Sequence, residues 1–352
     1  MKCTITSLPN PHEQKAVSAF VNAVGCASYH QDPLWADYFK VTKRHNYELA
    51  VVREGDQILA TAVIRWSKLG LGKRLAALRR GPVTENPALL ERVMPVLLEA
   101  LRDADAVTVI VSPRWEADTA MQARQILSAL GATELPRETR ELHRSTALID
   151  LTGDPEGLAA NFKQRCRRQI KKAAKLGMTI RPAESVEDAI AYGALMDAFH
   201  HNRGLSLDNI PPVEAQYEMT RERGVFLLGY HEDQLIAGHT AIAVGQQAFW
   251  LTMASLDVAP SLPKNYPLLA EALRICASQG LQTYDMAGAP SAEAVATDTI
   301  PEAEKKRFDF KSAFNPNVVD LVPPMVFAVN KPAHKLLFSA RQSYRRYKNR
   351  NA

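Results

Sequence analysis

Apolar and polar residues follow the same plan in two parts of this chain. Two apolar runs flank an Asp-Gln pair at residues 56–57, and two more flank a matching pair at residues 233–234. Apolar runs joined by a short polar turn predict a β-hairpin in each place. Each hairpin precedes a Leu- and Ala-rich helical run, at residues 97–102 and 269–274, and then a β-rich run.

These collinear repeats predict a tandem duplication of a unit made of hairpin, helix and strand. Coincidence is the alternative, because short runs rich in Leu and Ala match easily. The chain has 352 residues, which exceeds the size at which a single core usually stops growing. Length therefore favours two domains independently of the repeats.

Composition excludes some classes of protein but does not indicate a function. The chain is 46% hydrophobic and 23% charged, as ordinary soluble globular proteins are. Residues 1–10 lack the basic-then-apolar order of a secretory leader, and no apolar run approaches the roughly 18 residues that span a bilayer. A cytoplasmic location is therefore expected. The four cysteines are far apart and form no Cys-x-x-Cys pair, which argues against a disulfide framework and a zinc site.

A basic segment in the middle of the chain carries the first chemical signal. Its apolar positions recur every four residues, which predicts one amphipathic helix from Pro155, capped by Asp154 and ended by Gly177. These positions are Leu158, Phe162, Cys166, Ile170 and Ala174.

The remaining faces of this segment carry seven cations and no acidic residue. The cations are Lys163, Arg165, Arg167, Arg168, Lys171, Lys172 and Lys175. Because no acid four residues away offsets their repulsion, one interpretation is a phosphate-bearing partner that Arg167, Arg168 and Lys171 contact. The other interpretation is an ordinary solvated face.

A second group of cations begins at Lys331. Leu336 is among the apolar residues opposite them, which predicts a docked C-terminal helix with a basic outer face.

Six short motifs resemble those of the FemABX aminoacyltransferases in order and spacing. They are residues 161–177 (Asn161 to Gly177), 200–204 (His-His-Asn-Arg-Gly), 284–288 (Tyr-Asp-Met-Ala-Gly), 307–311 (Arg-Phe-Asp-Phe-Lys), 29–35 (Tyr-His-Gln-Asp-Pro-Leu-Trp) and 80–83 (Arg-Gly-Pro-Val). The resemblance implies the fold class α/β (α+β), with two tandem GNAT-like domains, each a mixed, mostly antiparallel sheet flanked by helices.

Domain boundaries and an activity also follow from this resemblance. Domain 1 is expected at residues 1–147, with the C-terminal segment 317–352 packing back on it, and domain 2 at residues 148–316. The family transfers an amino acid from aminoacyl-tRNA to an amine on a peptidoglycan precursor, in cell-wall biogenesis. No long coiled-coil arm interrupts this chain, so it resembles the compact members, whose acceptors are more varied.

Catalytic candidates come from two of the motifs. Phe310 and Lys311 match the Phe-Lys pair whose lysine, in the family, stabilises the oxyanion or holds the donor's terminal ribose and phosphate. Asp285 ends a predicted strand before Gly288, where a carboxylate could accept a proton or hold Lys311. The alternatives are a surface lysine and an Asp that caps the loop.

Substrate-binding candidates lie in other motifs. Arg203 matches the position that binds precursor phosphates, which suits a planar guanidinium. In the first domain, Trp35 is followed by Lys40, where the family places a lysine facing the nucleotide phosphates, and Lys43 is the neighbouring choice. Solvated surface residues are the alternative for these cations. His239 is expected to be a hydrogen-bonded core histidine.

No metal or cofactor is expected. The adjacent His200 and His201 point in different directions and so do not suit a shared metal. The turn at residues 261–267 has two prolines and no glycine, unlike the loop that cradles the pyrophosphate of coenzyme A, so coenzyme A is disfavoured as donor.

The leading hypothesis is a cytoplasmic aminoacyltransferase that uses aminoacyl-tRNA as co-substrate and a nucleotide-linked cell-wall precursor as acceptor. One alternative is an N-acyltransferase that depends on acyl-CoA or an acyl carrier and acts in polysaccharide or lipid biosynthesis. Another is a non-catalytic GNAT pair that binds RNA or an anionic surface. Peripheral contact with an anionic membrane is left open.

Overall fold

The computed structural model describes residues 1–7, 11–25, 27–36, 46–136, 142–204 and 210–338. The chain divides into two compact units, one made of residues 1–144 with the chain from Asp320 onward, the other of residues 145–319. The boundaries expected after residues 147 and 316 lie within a few residues of these divisions.

A mixed eight-stranded sheet forms the first unit. Its strands are β1 (Lys2–Thr6), β2 (Asn46–Glu54), β3 (Gln57–Gly70), β4 (Lys73–Leu78), β5 (Val83–Thr84), β6 (Ala106–Val111), β7 (Thr133–Glu134) and β15 (Met325–Phe327). The spatial order is β1-β2-β3-β4-β6-β15-β7, with β5 paired to β3. The β4–β6 pair is parallel and the others are antiparallel.

The longer helices of the described part of this unit are α1 (Pro11–Ala23), α2 (Leu89–Asp103) and α3 (Ala117–Ala129). The buried residues of α2 are spaced three and four apart, which places them on the face that meets the sheet. They are Leu90, Val93, Met94, Leu97 and Leu101.

The chain returns to the first unit near its end. Strand β15 pairs with both β6 and β7, inside the sheet rather than at its margin. A short helical turn at Lys331–Ala333 and a π-helical turn at His334–Phe338 follow. Phe338 is buried, but Leu336 is 66% exposed, so its assignment to the docked side of a C-terminal helix was wrong. Residues 339–352 lie outside the described chain.

The second unit has a mixed seven-stranded sheet. Its strands are β8 (Ser145–Asp150), β9 (Thr179–Pro182), β10 (Gly224–His231), β11 (Gln234–Val244), β12 (Gln247–Ser255), β13 (Thr283–Gly288) and β14 (Asn317–Asp320). The spatial order is β14-β8-β13-β12-β11-β10-β9, and β12 pairs with β13 in parallel.

In the described part of the second unit, six α-helices flank that sheet. They are α4 (Gln164–Lys175), α5 (Val186–Asn202), α6 (Val213–Glu222), α7 (Asn265–Ser278), α8 (Ala292–Ala296) and α9 (Glu302–Ser312). Helix α7 buries Leu268, Leu269, Ala272, Leu273 and Cys276 in the core.

The predicted repeat is confirmed. Both units contain a hairpin at the predicted turn, β2–β3 and β10–β11, then a helix, α2 and α7, then a strand, β6 and β13. In each unit the strand after the helix makes a parallel pair with a strand that precedes the helix, β4 with β6 and β12 with β13, since the helix lies in a crossover connection. The mixed α/β class is confirmed as well.

The predicted basic helix is present but shorter than expected. Residues Leu158–Asn161 form a separate 3₁₀ turn, because Phe162 and Lys163 are extended, and α4 begins at Gln164. Gly177, with a φ of 80°, follows its end. Ala173 is buried and Ala174 exposed, contrary to the prediction. A helix turns about 100° per residue. Position 173, seven residues after Cys166, therefore lies nearly two full turns further on and shares its face, whereas position 174 lies beyond that face.

Candidate active site

The parallel strands β12 and β13 stay paired for only part of their length. Their register runs from Gln247–Thr283 to Phe249–Asp285, although β12 continues to Ser255 and β13 to Gly288. Beyond Asp285, the pairing of β13 with β8 is also interrupted by a bulge before Gly288. Backbone groups at the end of β13 are thereby released from the ladder.

Asp285 holds this bulge. Its carboxylate is 6% exposed and accepts hydrogen bonds from the Thr146 hydroxyl and from the Ala287 backbone N–H, the latter at 2.7 Å. Ala287 has a φ of 61°, a left-handed conformation that costs a non-glycine residue about 1 kcal/mol. The side chain of Asp285 therefore offsets a backbone geometry that Ala287 would not adopt alone.

Lys311 meets the carbonyls that this bulge turns outward. It lies in the last turn of α9, and its Nζ donates to the carbonyl oxygens of Ala287 at 3.1 Å and Gly288 at 2.7 Å. An ammonium has three N–H groups, so within the described chain one remains for a ligand. Two fixed bonds also hold the amine in a single position.

Burial lowers the pKa of Lys311 to about 8. The Asp285 carboxylate acts in the opposite direction and favours the ammonium, while Arg307 lowers the pKa further. Near neutral pH the group is therefore protonated but poorly hydrated. A cation in this state interacts strongly with a developing negative charge.

Three half-buried aromatic rings form a cluster that meets the lysine through Trp250. Phe310 lies 5.0 Å from the ring of Tyr266 and 6.3 Å from that of Trp250. The Nζ of Lys311 lies 5.8 Å from the centre of the Trp250 ring, within the range of a cation–π contact. Phe310 thus belongs to an aromatic cluster that reaches Lys311 through Trp250, and it packs against α7 through Tyr266.

His239 is a buried, doubly hydrogen-bonded histidine, which confirms its prediction. Its Nδ1 lies 2.7 Å from the Thr252 carbonyl oxygen and its Nε2 lies 2.6 Å from the Tyr284 hydroxyl. Because a carbonyl only accepts, Nδ1 carries the proton and the Tyr284 hydroxyl donates to Nε2. Burial lowers the pKa of His239 to about 4, so the ring stays neutral at physiological pH.

The basic helix α4 begins beside the end of α9. The Lys163 backbone N–H donates to the Ala313 carbonyl at 2.9 Å, and the Arg165 guanidinium donates to the carbonyl of Asp309. Arg168 and Lys171 are exposed, as substrate contact would require. Across the described chain, no acidic side chain pairs with any cation from residue 163 to residue 175.

Arg167 differs from its neighbours on this helix. Its guanidinium donates to the carbonyls of Ala160, at 2.9 Å, and Phe162. It therefore satisfies the backbone of the preceding turn, a role that the uniform run of cations in the sequence did not reveal.

Arg203 ends helix α5 and is committed to local contacts. Its guanidinium stacks over the Phe199 ring at 3.9 Å and forms an ion pair with Asp257 at 3.3 Å. It remains 39% exposed. Neighbouring His200 is half-buried, which lowers its pKa, and His201 is exposed.

Trp35 belongs to the first unit and is 1% exposed. With His30, Tyr47, Arg65 and Arg79 it lines a small pocket. The pKa of His30 is held well below its usual value, first by burial and then by nearby arginines. Lys40 and Lys43 lie outside the described residues.

Comparison with known proteins gives a consistent family. The FemAB family matches residues 13–211, more than half of the chain, and the acetyltransferase (GNAT) domain matches residues 160–294. No curated protein has a significant sequence match. The solved structure of FemX is similar over 95% of this chain and 99% of that one, with a TM-score of 0.78 and 15% identity.

Two further solved structures share the fold. One is the C-terminal domain of a putative lysylphosphatidylglycerol synthetase from Agrobacterium fabrum, which covers 95% of this chain and 97% of its own at 15% identity and TM-score 0.58. The other is L-PGS from Bacillus licheniformis, which covers 92% and 93% at 12% identity and TM-score 0.57.

Two tandem GNAT-like units, one with a fixed lysine where its parallel strands part, define this protein as an acyltransferase. The chain belongs to the FemAB family, as its motifs indicated. Among the described residues, no helix has the length and apolar character to cross a bilayer.

Proposed function

We propose that this acyltransferase takes an amino acid from aminoacyl-tRNA and joins it to an amine on a phosphate-bearing acceptor such as a peptidoglycan precursor. Membership in the FemAB family supports the reaction class. The observation that carries the proposal is Lys311, held by two carbonyls with one N–H to spare, beside a cationic helix that no acidic side chain of the described residues pairs with.

In the proposed reaction, the acceptor amine attacks the ester carbonyl of the donor. A C–N bond forms, the C–O bond to the terminal ribose breaks, and the amine proton leaves with the ribose hydroxyl or with solvent. The tetrahedral intermediate carries an oxyanion, to which the third N–H of Lys311 donates. Positioning and electrostatics do most of the catalysis.

A covalent cysteine intermediate is not part of this mechanism. Burial raises the pKa of Cys166 to about 12 and that of Cys276 to about 12, so both thiols of the second unit stay protonated near neutral pH. A thiol rather than a thiolate is a poor nucleophile. Direct attack by the amine accounts for transfer without them.

The proposed donor is a tRNA rather than coenzyme A. The exposed cations of α4 suit a polyanion. The turn before α7, at residues 261–264, has no glycine, and the buried Lys264 amine folds back onto the Ala259 carbonyl at 3.2 Å. The backbone N–H groups of Leu262 and Lys264 also donate to carbonyls of this turn, so they are not open to a pyrophosphate.

The test is a transfer assay with a panel of radiolabelled aminoacyl-tRNAs and amine-bearing cell-wall precursors. Wild-type protein should move label to one acceptor, Lys311→Ala should lose about 100-fold or more in rate, and Lys311→Arg should retain part of it because the charge remains. Circular dichroism and thermal melting establish that both variants fold.

Other outcomes identify the alternatives. Wild-type rates in Lys311→Ala would remove the catalytic assignment. Thermal stabilisation by acyl-CoA, with no transfer from any aminoacyl-tRNA, would make the chain a coenzyme A-dependent N-acyltransferase. Salt-sensitive tRNA binding without loss of the amino acid would indicate a binding protein.

A further inference from the structure

The orientation of Trp250 depends on a bulge in β12. Along the β11–β12 ladder, Thr240 pairs with Thr252, whereas Ala241 pairs with Trp250, so Leu251 is an extra residue. Cross-strand partners share a face of the sheet, and neighbouring residues of β11 lie on opposite faces. Trp250 therefore faces away from Thr252, toward the side that carries Lys311.

Without the bulge this would not happen. Residues two apart on a regular strand point the same way, so Trp250 would follow Thr252 into the cluster on the other face. There, the Thr252 hydroxyl bonds Tyr192 at 3.0 Å and Thr240 at 2.6 Å. The bulge thus decides whether the Trp250 indole or the Leu251 side chain lies on the face that carries the lysine.

His239 is placed to hold that bulge. Its Nδ1–H donates to the carbonyl of Thr252, directly after the extra residue, and its ring meets Trp250 edge to face at 5.1 Å. The Tyr284 hydroxyl fixes the other side of the imidazole. Tyr284 and His239 are both 0% exposed, so water does not compete for these bonds.

We propose that His239, oriented by Tyr284, is a positioning residue that locks the β12 bulge and thereby sets the Trp250 ring against Lys311, shielding its ammonium from water. The role in transfer rests on the proposed function of Lys311. The positioning itself does not, because the state of the lysine is measurable without any substrate.

Several charged groups act on the lysine, and only the Trp250 wall depends on His239. Asp285, on β13, favours the ammonium, and Arg307, one turn earlier on α9, disfavours it. The hydrogen-bond chain consists of the Tyr284 hydroxyl, the His239 ring and the Thr252 carbonyl. None of these groups is charged at neutral pH, since burial keeps Tyr284 protonated and His239 neutral. Loss of these hydrogen bonds therefore changes the hydration of Lys311 and introduces no new charge.

The experiment measures the pKa of Lys311 by labelling its amine with acetic anhydride over a pH series, followed by peptide mass spectrometry. Exposed Lys172 serves as the internal reference. In the wild type the midpoint should lie near 8. In Tyr284→Phe and His239→Ala it should rise, and a rise of one pH unit cuts the neutral fraction at pH 8 about fivefold. Trp250→Ala should give at least the same rise.

Tyr192→Phe is the matched control. It removes a hydroxyl from an equally buried tyrosine, one that bonds the Thr252 hydroxyl on the opposite face of the sheet rather than His239. It should leave the midpoint unchanged. His239→Asn keeps a donor near the Nδ1 position and should restore most of the wild-type midpoint relative to His239→Ala.

The outcomes separate the two proposals. An unchanged midpoint in both Tyr284→Phe and Trp250→Ala, or an equal change in Tyr192→Phe, would overturn the positioning role. A raised midpoint accompanied by an alkaline shift in the pH profile of transfer supports it. A raised midpoint with no shift in the pH profile of transfer would leave the positioning intact and overturn the catalytic role of Lys311.

Discussion

At the scale of single residues, the site contains two groups whose conformation or environment is unfavourable in isolation. Ala287 has a left-handed backbone and Lys311 is an amine largely withdrawn from water. Each is stabilised by the other, because the bulge that Asp285 holds supplies the two carbonyls that replace solvent around the ammonium. Strained or desolvated groups that are mutually supported are typical of functional sites.

The pKa of Lys311 predicts the pH dependence of transfer. The amine is protonated below about pH 8 and neutral above it. If the ammonium stabilises the oxyanion, wild-type turnover falls as the pH rises through about 8. Lys311→Arg keeps its charge in that range, so its profile should lack this fall. The measurement is kcat/KM from about pH 6 to about pH 10, with hydrolysis of the free ester subtracted.

The opposite pH dependence of transfer would indicate a different role for the Lys311 amine. A rate that rises through pH 8 in the wild type, relative to Lys311→Arg, would show that the neutral amine acts as a base. The oxyanion role would then be wrong, even though the residue is essential.

At the scale of elements, α4 combines two tasks on opposite faces. Cys166 and Ala173 are buried as the helix packs on α7, while the outer face carries cations that no acid of the described chain neutralises. Seven cations in so short a segment repel each other, so a polyanion on this face would relieve a cost already present in the free protein.

Charge reversal tests this face. Lys171→Glu, Lys172→Glu and Lys175→Glu, combined, should weaken aminoacyl-tRNA binding and lower the slope of log K against log salt by about 2. Filter binding over a salt series gives both quantities. The matched control reverses three exposed lysines of the first unit, Lys15, Lys68 and Lys331, with the same change in net charge.

Equal losses in both triple variants would mean that net charge alone attracts the nucleic acid, and α4 would have no special role. Thermal melting is needed for the α4 variant, because acidic residues in the last turn of a helix are unfavourable.

At the scale of the whole molecule, each unit has a core of its own and the chain enters the first one twice. Strand β15 lies between β6 and β7, so the sheet of the first unit is complete only after the second unit has been synthesised. The second unit is continuous in sequence from residue 145 to residue 319. The first unit therefore depends on contacts between residues far apart in sequence, whereas the second unit is formed by one continuous segment.

A substitution in β15 should separate their stabilities. Val326 is 5% exposed, so Val326→Asp buries an unpaired carboxylate and should cost about 3–5 kcal/mol in the first unit. Hydrogen exchange should show loss of protection in β6 and β7 peptides, with β11 and β12 peptides unchanged. Val258→Asp, at a position 37% exposed, is the control and should change neither set. Equal loss in all four strands would show that the units unfold as one.

The sequence by itself determined the features that depend on local order. Hairpins, the helix and the following strand were predicted in both units, because each is specified by a short apolar period and its turn. The Phe310–Lys311 pair and Asp285 came from motifs whose order is readable along the chain. In the structure, Asp285 and Lys311 both bond the backbone of Ala287, and Phe310 packs near them against Trp250.

Tertiary structure decided what surrounds Lys311. Thr146, Trp250 and Tyr266 come from three distant segments, and no period in the sequence connects them. The bulge that turns Trp250 is a register shift between two strands, and register is a property of a pair rather than of either sequence. For the same reason, the inward turn of Arg167 was invisible in a run of like charges, since backbone carbonyls carry no sequence signal.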